Sequence, residues 1–132
     1  MSGVTNLSQL LAHMSPKLID GDFVFISKPN SSYGSHIELE PVAAVLEPEG
    51  LTLIIPQNKA DEHHISYEGI YKMITLEVHS SLEAVGLTAA FATKLAEHHI
   101  SANVIAGFYH DHIFVQASAA ARAIAALKEL SA

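Results

Sequence analysis

Lys72-Met73-Ile74-Thr75-Leu76-Glu77-Val78-His79 alternates apolar and polar side chains, with Ile74, Leu76 and Val78 set against Thr75, Glu77 and His79. That period of two marks a half-buried strand. Ser80-Ser81 interrupts the pattern. From Ala84 to Leu95 the spacing changes: Ala84, Leu87, Phe91 and Leu95 share one face of a helical wheel, and Thr93, Lys94 and Glu97 fall on the other. Asn103–Tyr109 alternates again through Val104, Ala106 and Phe108, and His112–Ala117 answers with Ile113 and Val115. A two-residue loop at His110-Asp111 sets Phe108 opposite Ile113 and Ala106 opposite Val115, one register for both patterns. Ser118 is in place to cap a last helix with a stripe of Ala120, Ala123, Ile124, Leu127 and Leu130. Strand, helix, strand, strand, helix predicts an α+β layer with both helices on one face of a sheet, most of a ferredoxin-like unit.

Upstream, Asn6 can cap a short helix in which Leu7, Leu10, Leu11 and Met14 share a face. Asp20-Gly21-Asp22 predicts a hairpin between Lys17–Ile19 and Phe23–Ser27. The polar run Lys28–Ser35 is a loop and a candidate lid. Val42–Leu46 and Leu51–Ile55 flank Glu47-Pro48-Glu49-Gly50 as a second hairpin, and Pro56 suits the first turn of a helix to about His64. Glu62-His63-His64-Ile65-Ser66 recurs as Glu97-His98-His99-Ile100-Ser101, each copy at the end of an expected helix, as in two divergent copies of one unit.

Several of these segments resemble an ACT domain: Ile74–His79, the turn through Val85-Gly86-Leu87, the helix end Leu95–Ser101 leading into Asn103-Val104, and Ala106–Val115. Asp22-Phe23-Val24-Phe25 and Glu49–Ile54 resemble the first half of small bacterial proteins built of two ACT-like halves, relatives of the tandem ACT domains of aspartate kinases and of cytosolic arginine sensors. The resemblance implies two ferredoxin-like halves of βαββαβ-related type, with antiparallel sheets and helices on one face. The halves are expected at residues 1–68 and 69–132. It also implies a non-enzymatic, regulatory and allosteric module that binds an amino acid between the halves or at the interface of a homodimer.

Composition narrows the alternatives. A chain of 132 residues holds one domain or two small units that share packing. A net charge of −7 with 7 scattered basic residues argues against nucleic acid and anionic membranes as partners. No cysteine is present, which removes disulfides, cysteine nucleophiles and thiolate metal sites and accords with a cytoplasmic location. No apolar run approaches the length of a membrane span. There is no Gly-x-Ser-x-Gly elbow, phosphate loop or dinucleotide fingerprint, so no catalytic residue and no cofactor is assigned.

Nine histidines invite a metal reading, yet adjacent pairs such as His98-His99 project about 100° apart on a helix and cannot readily share one ion. At helix C-termini they complement the negative end of the dipole. His110-Asp111-His112 is different. An Asp in a tight turn is ordinary turn chemistry, but facing a pocket it is also a counter-charge for an ammonium group. Val85-Gly86-Leu87 at a helix start offers free N–H groups to a carboxylate, and Gly86 equally permits close packing. Asn103 can bond a ligand or the preceding loop. The expected ligand-binding set is therefore Val85, Gly86, Leu87, Asn103, His110, Asp111 and His112, with a separate, unnamed protein receiving the signal. The alternatives are a metal-binding protein using His110, His112 and a third histidine such as His79, or an assembly module without a ligand.

Overall fold

The computed structural model describes residues 6–78 and 86–131. The chain runs α1 (Leu7–His13), β1 (Ser15–Leu18), β2 (Phe23–Lys28), a 3-10 turn at Ile37–Leu39, β3 (Ala43–Glu47), β4 (Gly50–Pro56), α2 (Gln57–Glu62), β5 (Tyr71–Glu77), α3 (Leu87–Glu97), β6 (Asn103–Ala106), β7 (Asp111–Gln116) and α4 (Ala120–Lys128), with 3-10 turns flanking α4. These elements form two compact units. One combines the chain up to Asp20 with the chain from Lys72 onward; the other is Gly21–Tyr71.

In the first unit the strand order is β1-β5-β7-β6. The helices cover one face of this sheet because the alternation in β5 and β7 puts Ile74, Leu76, Ile113 and Val115 on a common side. There they form one core with Leu87, Phe91 and Leu95 of α3, Ala123 and Leu127 of α4, and Leu10 of α1. Each of the larger side chains, Ala123 aside, contributes about 1.5–3 kcal/mol by leaving water. Asn6 begins α1 as expected, its side-chain oxygen accepting the Gln9 N–H at 3.1 Å. The strand missing from residues 72–132 comes from the other end of the chain: β1 runs antiparallel to β5, with Ser15 opposite Glu77 and Leu18 opposite Ile74.

That pairing overturns the expected hairpin between Lys17–Ile19 and Phe23–Ser27. Gly21 does hold a positive φ of 99°, but the strands on either side of it bond elsewhere. β2 pairs with β4 over six positions, from Phe23 opposite Pro56 to Lys28 opposite Leu51, more than the four residues of β1 could offer. Ser118 is a second correction. It lies inside the 3-10 turn Ala117–Ala119, and α4 starts without a side-chain cap because the Ala120 N–H already bonds the Ala117 carbonyl.

In the second unit the order is β3-β4-β2, and Tyr71 pairs with Phe23. Val24, Ile26, Leu51, Leu53 and Ile55 share one face and pack with Leu39 and Ala60. The β3–β4 hairpin closes as expected, Glu47 opposite Gly50 across Pro48-Glu49. The polar loop after β2 is pinned, since the Tyr33 hydroxyl accepts the Leu46 N–H at 2.9 Å.

The repeated Glu-His-His-Ile-Ser phrase is a helix terminator used twice. After α2, His64 adopts φ 54°, its N–H bonds the Asp61 carbonyl, and the Ile65 N–H reaches back to Ala60 at 2.8 Å. After α3, His99 adopts φ 58°, its N–H bonds Ala96, and the Ile100 N–H reaches Leu95 at 2.9 Å. Both are Schellman motifs, with a histidine where glycine is usual. His99→Gly is therefore expected to stabilise the protein by about 0.5–1 kcal/mol, because the left-handed strain exceeds the extra glycine entropy. A melting temperature that falls instead would refute this account.

Candidate functional site

The β6–β7 hairpin turns two residues earlier than the alternation implied. Asn103 faces Phe114, Val104 faces Ile113, Ile105 faces His112 and Ala106 faces Asp111. The Gly107 N–H then donates to the His110 carbonyl at 2.9 Å, so Phe108-Tyr109 forms the tip. His110 closes the turn, and Asp111 and His112 open β7. The expected two-residue loop at His110-Asp111 is thus corrected. An even shift keeps every strand residue on its face, so Val104 and Ile113 still point at the helices. Phe108, expected opposite Ile113, is instead exposed. Gly107 sets this turn: a Cβ there would lie 2.7 Å from the His110 oxygen and 3.1 Å from His112 Nε2. Gly107→Ala is expected to cost about 1–3 kcal/mol and to displace the His112 ring. An unchanged melting temperature with unmoved His112 NMR signals would show that the approach is looser than this.

Both histidines fasten the hairpin to β5. His112 Nδ1 lies 3.0 Å from the hydroxyl of Thr75, a buried polar residue on the face of β5 opposite Ile74 and Leu76. His110 Nδ1 donates to the Val78 carbonyl at 3.4 Å. Thr75 precedes Val78 whereas His112 follows His110, so β5 and β7 are antiparallel and the tip lies at the end where the chain leaves β5 for α3.

Asp111 alternates to the other face, which it shares with Ile113 and Val115 beneath the helices. Its half-buried carboxylate has no hydrogen bond or ion pair among the described residues. Burial pushes its pKa above the usual carboxylate value, against the opposing pull of His112 and His110. Burial also lowers the His112 pKa, helped by His110 and opposed by Asp111.

Gly86 starts α3 at φ 96°, with Leu7 methyl carbons 3.2 Å or more from where a Cβ would stand. The Leu87 side chain is buried in the core, so only its main chain is available to a ligand. Asn103 donates across the hairpin to the Phe114 carbonyl at 3.2 Å. It sits three register positions, about 10 Å, from Asp111. Val85, His79, Ser80 and Ser81 lie outside the described residues. Among the described residues, no three His, Asp or Glu side chains are grouped to hold a metal ion, and no helix is long and apolar enough to cross a membrane.

One ACT-domain profile matches residues 2–72 and another matches residues 68–129. The chain belongs to the ACT-domain family. A Vibrio cholerae protein of unknown function, described as a possible transport protein, is 53% identical over 99% of this chain and 100% of its own, with a TM-score of 0.88. The ACT fold is shared with the regulatory subunit of aspartate kinase from Thermus flavus, at 10% identity over 89% of this chain and 95% of that one, TM-score 0.60. It is also shared with Clostridium acetobutylicum aspartate kinase, at 13% identity over 90% of this chain and 34% of that one, TM-score 0.65. No curated protein matches the chain. All seven expected ligand-binding residues fall in the second ACT match, whereas α1 and β1 lie in the first match yet pack with the core of residues 72–131. Thr75, Gly107, Phe108 and Tyr109 belong to this end of the ACT unit and escaped sequence reasoning. Gly107 ahead of two aromatic residues was the signal for the true turn.

Proposed function

We propose that this ACT protein is a non-enzymatic regulatory module that binds an amino acid at the turn end of the β6–β7 hairpin. The observation that carries this reading is the Asp111 carboxylate, half-buried on the helix-covered face and without a hydrogen bond or ion pair among the described residues. A carboxylate held there without a partner weakens the fold unless something cationic joins it. Asp111 would hold the ammonium group, and the main-chain N–H groups of Gly86 and Leu87, at the positive end of the α3 dipole, would receive the carboxylate. Supporting this, His110 bonds Val78 where β5 ends, so the hairpin tip and the departure of the chain towards α3 share one end of the unit. The fold shared with a regulatory subunit of aspartate kinase supports the regulatory part. A ligand with different affinity for two states of a homodimer, or for free and partner-bound forms, would transmit the signal to a separate protein.

Thermal-shift screening against the twenty amino acids, with zinc and nickel ions as a separate arm, tests the reading. Stabilisation by an amino acid that is lost in Asp111→Ala is expected. A response to metal ions alone would favour a histidine metal site, and no response to either would favour an assembly module. Light scattering tests the dimer, and monomer mass at high concentration would exclude it.

A further inference from the structure

The polar loop after β2 brings together three side chains that the amino-acid site does not use. Ser31 Oγ lies 2.9 Å from His36 Nε2, and the Glu38 carboxylate stands 3.9 Å from the other ring nitrogen, Nδ1. A carboxylate on that side favours the tautomer with its proton on Nδ1, which leaves Nε2 to accept the Ser31 proton. The Pro29 carbonyl competes for this proton from 3.4 Å, the weaker position. The loop is anchored between and beyond these residues: the Tyr33 hydroxyl accepts the Leu46 N–H at 2.9 Å, and Leu39 is buried in the core of the second unit. The His36 side chain is 24% exposed, so a small molecule can reach the pair. Ser32 and Ser35 of the same loop bond each other at 3.2 Å, whereas Ser31 is set against a base. Hydroxyl, imidazole and carboxylate in that order are the arrangement that activates a serine as a nucleophile.

We infer that Ser31 is a nucleophilic serine that takes an acyl group from an activated carboxylic ester, with His36 as its base and Glu38 balancing the imidazolium. The bond from Ser31 Oγ to the carbonyl carbon forms and the ester C–O bond breaks; the Ser31 proton passes to His36 Nε2 and from there to the departing oxygen. One acyl group per chain is a covalent modification that needs no turnover, and so is compatible with a regulatory module. All three residues lie in the unit Gly21–Tyr71, whereas Asp111, Gly86 and Leu87 lie in the other, so this inference stands or falls apart from the amino-acid reading.

The test is incubation of the full chain with p-nitrophenyl acetate, followed over time by release of nitrophenolate and by peptide mapping of the acetylated residues. Ser31 is expected to acquire the acetyl group at least about tenfold faster than Ser32 or Ser35. His36→Gln retains a side chain that can hydrogen-bond Ser31 but removes the base. With both proteins assayed well below their melting temperatures, that variant is expected to acetylate Ser31 at least about tenfold more slowly than the parent, and Ser32→Ala to react at the parent rate. Acetyl groups on lysines alone, equal rates at the three serines, an unchanged Ser31 rate in His36→Gln, or a loss as large in Ser32→Ala would each overturn the inference and make the Ser31–His36 bond no more than a closure of the loop.

Discussion

Phe91→Ala is expected to destabilise the protein by about 3–5 kcal/mol. Phe91 is fully buried in the middle of α3, in the core that also contains Ile74, Leu76, Leu87, Leu95 and Ile113. Strand residues fix one wall of that core and α4 another, so neighbours can close only part of the resulting cavity. Domains of this kind have only about 5–15 kcal/mol in total, so the loss takes a large share. Urea denaturation followed by far-UV circular dichroism should show a much lower midpoint for Phe91→Ala. Thr93→Ala, on the exposed side of the same helix, should stay within about 0.5 kcal/mol of the parent. Near-equal midpoints for Phe91→Ala and the parent would mean that α3 does not close this core.

The parts of this fold legible in the sequence are those whose partners are close along the chain. The alternation of β5, the stripe of α3, the Asn6 cap and the β3–β4 hairpin are local patterns, and each recurs in the structure. The pairing of Ser15 with Glu77 joins residues roughly sixty apart, and no local periodicity encodes it. Asp20-Gly21 therefore looked like a hairpin although the flanking strands serve different partners. The hairpin tip failed for another reason: turn propensity favoured His110-Asp111 over Phe108-Tyr109, while close approach at Gly107 decided the position. Face assignment survived because the error was an even number of residues. The repeated histidine phrase was legible as a duplication, but not as two left-handed helix caps, because histidine is an unusual residue for that conformation. Within the site, Asp111 was legible as a carboxylate near a turn. Its lack of a partner among the described residues, and the anchoring of His110 and His112 to Val78 and Thr75, are tertiary facts.

Asp111→Asn should separate function from stability. Burial raises the folded-state pKa of Asp111 above its unfolded value of 3.8, the reverse of the usual ion-paired carboxylate. A raised acid favours the fold fully below the unfolded pKa, and that contribution is lost as pH rises through the folded pKa. At pH 7–8 the ionised Asp111 is therefore a burden on the fold, and the asparagine variant should melt no lower than the parent, with a gap that closes as the pH falls towards 3.8. His112 works in the opposite sense on a separate range. Its lowered pKa means that stability is present above its unfolded value of 6.5 and is lost as pH falls through the folded value, so His112→Gln should lose that acid sensitivity. Ligand binding provides the contrast. With the charge gone, an ammonium group loses its charge-assisted partner, and affinity for the stabilising amino acid should fall at least about tenfold, about 1.4 kcal/mol. Calorimetric titration and melting curves on one preparation measure both quantities. A variant that melts lower at pH 7.5 and binds unchanged would assign Asp111 to the architecture of the hairpin; equal or greater stability with lost binding is the signature of a residue kept charged for its ligand.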